Sequence, residues 1–128
     1  MIILDTSIWI EFLKANPEYY SQIAQLLEKK EVLAVECVFG ELFQGIKSER
    51  EKSLLSEYWK YLPKIDSSGL FIEAGLYSNK NKLFDKGVGL IDSLILVHAL
   101  KLQISIWTLD KKLLKIVPKE HIFKYIKI

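Results

Sequence analysis

The chain has 128 residues, of which 50% are hydrophobic, and its 18 basic and 16 acidic side chains give a formal net charge of +2. This composition excludes a disordered chain, and the length suits one domain over residues 1–128. The single cysteine, Cys37, excludes an internal disulfide, and the lack of a membrane-length apolar stretch or a signal-peptide pattern favours the cytoplasm.

Short apolar runs alternate with helical patterns along the chain. In chain order these patterns predict a strand at residues 2–4, helices at 7–13 and from 16 to about 30, a strand at 32–35, helices at 38–46 and 48–61, a strand at 64–66, a helix at 69–84, a loop at 86–89, a helix at 90–102, a strand at 104–108, a helix at 111–116 and a strand at 122–126. Strands separated by helices predict an α/β fold with a mostly parallel central sheet of four to five strands, flanked by helices on both faces.

Two aspartates directly follow predicted strands. Asp5 ends the first apolar run, and Asp110 comes just after the run that ends at Thr108. If the strands are parallel, both carboxylates emerge at the same edge of the sheet, where open α/β sheets bind their ligands. An aspartate after a strand is also a common N-cap of the next helix, and the cap and ligand roles are compatible.

Asp92 lies on an apolar face of a predicted helix. It shares that face with Ile95, Leu96 and Ala99, at helical spacings of three, four and seven. A lone buried carboxylate is costly, so it needs a proton, a partner or a cation. A capping role is the alternative, although Leu90 indicates an earlier helix start.

Glu41 edges a partly apolar helix between Gly40 and Gly45. Small residues there would allow another backbone or a substrate to approach closely. On its own, a glutamate such as Glu41 is more often a solvated helix residue than a site residue. Four carboxylates in one crevice would repel, and divalent Mg²⁺ or Mn²⁺ is the usual way to relieve such repulsion.

Four acid-bearing segments occur in order along the chain: Ile3-Leu4-Asp5-Thr6-Ser7, Glu41-Leu42 leading into Gly45-Ile46, Gly89-Leu90-Ile91-Asp92-Ser93, and Thr108-Leu109-Asp110. Their order and distribution resemble those of PIN-domain ribonucleases, most closely the VapC-type toxins of toxin–antitoxin pairs. The resemblance covers essentially the whole chain and implies a single PIN-like domain.

The resemblance implies a set of functional residues. The acidic metal site for Mg²⁺ or Mn²⁺ would comprise Asp5, Glu41, Asp92 and Asp110, with Thr6, Ser7 and Thr108 as supporting hydroxyls. It also implies an endoribonuclease that hydrolyses RNA with a metal-activated water, a homodimer, and a small VapB-type antitoxin as partner.

Lysines supply nearly all of the positive charge, since Arg50 is the one arginine. A polyanion would therefore be held by point charges and backbone amides, which favours backbone binding over base readout. Lys86, Lys111 and Lys112 are candidate phosphate contacts because they stand near Asp92 and Asp110 in sequence. Ordinary surface solubility is the alternative for each of them.

Two other classes of protein place their acids differently. A phosphotransfer receiver domain would have paired acids after its first strand, whereas Asp5 has no acidic neighbour. A phosphatase with an aspartyl nucleophile would have a second aspartate where Ser7 stands. A PIN-fold RNA-processing nuclease outside a toxin–antitoxin pair and a catalytically idle PIN-like protein-binding module remain as alternatives.

Overall fold

The structure is a computed structural model that describes residues 1–64 and 66–127. Its strands and helices are, in chain order, β1 (Ile2–Leu4), α1 (Thr6–Leu13), α2 (Tyr20–Glu28), α3 (Glu36–Gln44), α4 (Glu49–Tyr61), α5 (Leu70–Asn81), α6 (Leu90–Leu102), β2 (Ser105–Trp107) and α7 (Lys111–Ile116). Two 3₁₀ turns, Phe84–Lys86 and Lys119–His121, precede α6 and follow α7. No helix in the described ranges is long and apolar enough to cross a bilayer.

The sheet is parallel but smaller than predicted. β1 and β2 pair in parallel, with Leu4 opposite Trp107. The prediction of four to five strands was wrong, because the described residues contain two. Single parallel bridges add three extended segments at the sides of this pair: Val32 to Ile2, Ala34 to Lys64, and Ile122 to Ile106.

The outer segments stop short of strands because their backbone groups find other partners. After Phe123 N–H donates to Ile106 O, the last segment leaves the sheet, and both backbone groups of Ile126 bond to the side chain of Gln22. The Ala34 N–H bonds to the Pro63 carbonyl, which forms its single parallel bridge to Lys64 instead of a bond to β1. The predicted strand at 64–66 includes residue 65, which lies outside the described residues.

The strand pair is covered on both faces. All three residues of β1 are buried, and successive side chains of a strand point to opposite faces. Trp9 and Trp107 are among the largest fully buried side chains, and Trp107 stacks with Tyr125 at 5.3 Å between ring centroids. This core fixes the strand ends that carry the acidic side chains.

Helix α6 is buried along almost its whole length. Residues 93–99 are all buried, and α6 packs against α5. Ile95, Leu96 and Ala99 are each at most 1% exposed, which confirms the apolar face predicted around Asp92. The helix begins at Leu90, so Asp92 lies in its first turn rather than at its N-cap, which is Gly89.

Candidate active site

Asp5 stands at the end of β1 and is only 4% exposed. Its backbone N–H donates to Trp107 O of the paired strand at 3.1 Å. Its Oδ1 accepts hydrogen bonds from Ser7 Oγ at 2.5 Å and Ile8 N at 3.3 Å, and its Oδ2 accepts one from Thr108 Oγ1. Asp5 is therefore the N-cap of α1 and also a carboxylate with a fixed orientation.

Burial and hydrogen bonding act in opposite directions on Asp5. Burial raises the pKa of this carboxyl above its ordinary value, since the charged form loses water. The bonds from Ser7, Thr108 and the Ile8 amide favour the charged form and offset part of that rise in pKa. The site thus holds a desolvated carboxylate that is partly compensated by three donors.

The two hydroxyls beside Asp5 also bind the loop after β2. Thr108 Oγ1 accepts from Asp110 N at 3.0 Å, and Ser7 Oγ accepts from Leu109 N at 3.0 Å. Asp110 in turn caps α7, because its Oδ1 accepts from the amides of residues 112 and 113 at 2.8 and 3.2 Å. The capping role considered for both aspartates is therefore real, and it coexists with their convergence at one sheet edge.

Glu41 reaches the same region from α3. It is exposed, and its Oε1 accepts a hydrogen bond from Thr6 Oγ1 at 2.8 Å. Thr6 is the first residue of α1 and follows Asp5 directly, and helices α1 and α3 pack together. The structure therefore places Glu41 beside the end of β1, although 35 residues separate it from Thr6.

Asp92 completes the group from the first turn of α6. The pKa of its half-buried carboxyl is raised to about 6, first by burial and then by the charges of Asp110, Asp5 and Glu41. No hydrogen bond within the described residues compensates its charge. The four acids predicted from separate segments thus interact electrostatically. Of the four, Asp92 is the one whose charged form is most disfavoured by burial and repulsion. We call this set of four carboxylates the acid cluster.

The acid cluster fits a hard divalent cation by its chemistry. All four candidate donors are carboxylate oxygens, and Asp92 has no positive or hydrogen-bonding partner among the described residues. Within residues 1–64 and 66–127, no three His, Cys, Asp or Glu side chains lie close enough together to enclose one metal ion. Mg²⁺ commonly keeps several waters and uses one or two protein carboxylates, so the donor set suits it without a closed cage.

The three candidate lysines lie in two neighbouring segments. Lys86 ends the 3₁₀ turn before α6, while Lys111 and Lys112 begin α7, and all three are exposed. The side chain of Lys112 lies against Gly87, and this contact connects the two segments. None of the three forms an ion pair with a described carboxylate.

Cys37 is a neighbour of the acid cluster that the sequence interpretation did not include. Burial, and then the charges of Glu41 and Asp92, raise the pKa of its thiol to about 11. Cys37 and Glu41 are four residues apart on α3, a spacing that places both on one helix face. That spacing could have indicated from the sequence that Cys37 lies near Glu41. Because its pKa is raised, the thiol is neutral near pH 7.

Comparison with known proteins places this geometry in context. A family model described as "PIN domain" matches residues 2–119. Seven chains of solved structures match, among them one from a crystal structure of VapBC2 from Rickettsia felis bound to a DNA fragment from their promoter. That chain is 26% identical, the match covers 97% of this chain and 98% of that one, and the TM-score is 0.69. A search of curated proteins gave no significant match.

Proposed function

We propose that this chain, which belongs to the PIN-domain family, is a divalent-metal-dependent endoribonuclease and the toxin of a VapBC-type toxin–antitoxin pair. The observation that carries the proposal is the electrostatic interaction of four acids that come from four separate segments. Asp5, Glu41 and Asp110 all raise the pKa of Asp92, so the charges of all four act on one small region. A structural role alone does not account for such mutual repulsion, whereas a cation relieves it.

Asp5 and Asp92 would hold the principal Mg²⁺ or Mn²⁺ ion, and Glu41 and Asp110 would complete its surroundings or orient water. When bound, such an ion activates water for attack on phosphorus and neutralises charge on the phosphodiester. The residues of the chain provide orientation. Ser7 and Thr108 hold the Asp5 carboxylate at both oxygens, and Thr6 holds Glu41.

The partners proposed are an RNA substrate, a small VapB-type antitoxin and a second copy of this chain. Similarity to a chain of the VapBC2 complex supports an antitoxin partner. We propose a cytoplasmic location, because a single cysteine suits a reducing compartment. Co-expression with the product of an adjacent gene tests the pairing: relief of growth arrest supports it, and continued arrest with every neighbouring gene opposes it.

The nuclease itself is tested by comparing four purified proteins on a structured RNA, with Mn²⁺ and with a chelator. The wild-type chain should cleave with Mn²⁺ and stop when the metal is chelated. Asp5→Asn and Asp92→Asn should each lose at least about 100-fold in rate, since each removes a proposed ligand. Asp85→Asn removes the same charge from the exposed 3₁₀ turn and should cleave like wild type.

The outcomes separate the proposal from its rivals. Equal cleavage by all four proteins would exclude the assigned acids. A folded wild-type chain that binds RNA or protein partners without cleaving under any metal condition would instead identify an idle binding module. Circular dichroism of each variant confirms that a lost rate reflects the site rather than unfolding.

A further inference from the structure

The side chain of Lys112 crosses the backbone at Gly87. A Cβ atom at Gly87 would lie 2.9 Å from Lys112 Cδ, 3.2 Å from Nζ and 3.3 Å from Cε. The backbone of Gly87 has a φ of +81°, a conformation that other residues adopt only with strain. The lysine therefore lies where a side chain at position 87 would be.

Both sides of this contact are anchored to the core. Val88 is 1% exposed, and its N–H donates to Leu83 O at 3.0 Å. On the other side, the Lys112 amide donates to the Asp110 carboxylate, and the adjacent Leu113 is fully buried. The contact thus joins the loop that leads into the Asp92 helix to the turn that begins at Asp110.

The Lys112 ammonium is not neutralised by a described carboxylate. The one ion pair within the described residues joins Lys101 and Glu73, at 2.9 Å. The Lys112 side chain lies between the loop that leads into α6 and the first turn of α7, the two segments next to Asp92 and Asp110. Its positive charge is opposite in sign to the acid cluster, which would repel a polyanion. A phosphodiester oxygen is the group that fits both the charge and the donors of this ammonium.

We propose that Gly87 is a positioning residue that seats the Lys112 ammonium where it contacts a substrate phosphate flanking the one that is cut. The inference rests on the proposed nuclease function, because it assigns a contact to the same RNA strand. It differs from a surface role for Lys112, since it makes the contact depend on the absence of a side chain at position 87.

The first test removes the charge. Lys112→Gln should weaken RNA binding about fivefold, raise KM by the same factor and leave kcat unchanged. The slope of log affinity against log salt should fall in magnitude by about 0.7 to 0.9, the values for one phosphate contact on a single strand and on a DNA duplex. Lys112→Arg should keep most of the affinity, and Lys29→Gln, at the exposed end of α2, should keep all of it.

The second test fills the space that Gly87 leaves for the Lys112 side chain. Gly87→Ala should reproduce the loss of affinity and the smaller salt slope, because its Cβ displaces Lys112. Gly69→Ala is the matched control: Gly69 has a similar φ of +77°, yet a Cβ there meets nothing within 4 Å. Both substitutions strain the backbone alike, so a change in binding seen only with Gly87→Ala reports the lysine contact.

The double variant decides between a direct and an indirect role for Gly87. If Gly87 acts through Lys112, Gly87→Ala combined with Lys112→Gln should bind RNA no worse than Lys112→Gln alone. Losses that multiply in the double variant would overturn the inference. Equal losses from Gly87→Ala and Gly69→Ala would overturn it as well, since backbone strain would then explain both.

Fluorescence anisotropy with a labelled structured RNA in chelator measures these affinities without cleavage, at low and moderate salt. Thermal unfolding of each variant confirms folding. A wild-type chain that binds with this pattern but never cleaves would refute the proposed nuclease and leave the contact standing. Cleavage with unchanged binding and unchanged KM in Lys112→Gln would refute the contact and leave the nuclease standing.

Discussion

The acid cluster has two halves that differ in how their carboxylates are held. In the strand-edge half, Asp5 and Asp110 each accept hydrogen bonds, three to the former and two to the latter. In the helical half, Glu41 accepts one bond at an exposed position and Asp92 accepts none from the described residues. Hydrogen bonds of the fold thus orient the carboxylates of the strand-edge half, whereas a bound cation would be needed to orient and neutralise those of the helical half.

The difference follows from the position of each carboxylate, at the end of a strand or on a helix. A strand that ends beside its parallel partner brings hydroxyls and free amides to one point, and these donors stabilise carboxylates. Asp92 instead lies in the first turn of a helix whose next residues are fully buried, so its surroundings are apolar on one side and acidic on the other. Substitutions in each half would therefore have different effects on stability.

Thr108→Val should lower the free energy of unfolding by about 2 kcal/mol, because it leaves a buried oxygen of Asp5 and the amide of Asp110 without their partner. Thr108 is itself only 6% exposed, so water does not readily replace the hydroxyl. Urea denaturation of the metal-free chain measures the loss. Thr108→Ser, which keeps the hydroxyl, should lose less than half as much; an equal loss would contradict the assignment of the effect to the hydroxyl.

Asp92→Asn should act in the opposite direction. At pH 7 without metal, it removes a charge that burial and three carboxylates oppose, and it should stabilise the chain by about 1 kcal/mol after screening by solvent. The same denaturation experiment measures the gain. Asp85→Asn, at an exposed position, should change stability little. Destabilisation by Asp92→Asn would mean that the Asp92 carboxylate has a favourable partner.

The pH dependence of stability follows from the same raised pKa. Between about pH 4 and pH 6, Asp92 is ionised in the unfolded chain but protonated in the folded one, so folding takes up a proton. Stability from this group is therefore complete below about pH 4 and declines as pH rises through 6. Unfolding midpoints of metal-free wild type and Asp92→Asn should converge near pH 4 and diverge toward pH 7; a constant difference would contradict the assignment.

Thr6→Val should have the smallest effect. The hydrogen bond that it removes is exposed, so water can replace the hydroxyl at Glu41, and stability should change by less than about 0.5 kcal/mol. Thermal unfolding of the variant measures this change. A loss comparable to that of Thr108→Val would show that the helical half is held as firmly as the strand-edge half.

The sequence predicted what depends on local pattern. The apolar run before Asp5 predicted a buried strand with a carboxylate at its end. The apolar face of α6 predicted a buried Asp92, and the structure shows this side chain half-buried. The strand count failed, because an apolar run such as 32–35 does not reveal how many ladder bonds its neighbours supply. The helix expected from Asn16 begins later, at Tyr20, because Asn16 closes a turn with Glu18.

Contacts between distant segments could not be predicted from the pattern. Thr6 and Glu41 are 35 residues apart, and nothing in either segment indicates that they share a hydrogen bond. The contact of Lys112 with Gly87 depends on how α7 sits against the loop before α6. Such contacts follow from the packing of helices, which periodicity constrains only to a face.

The paired hydroxyls give the site two spectroscopic reporters. Thr108 and Ser7 each donate to Asp5 and accept from a backbone amide, of Asp110 and Leu109 respectively. Each hydroxyl hydrogen therefore has one orientation, and the two amide protons are polarised through it by the charge state of Asp5. The chemical shifts of these two amides, in the loop that leads into α7, would therefore report protonation or cation binding at the buried Asp5 carboxylate in an NMR titration.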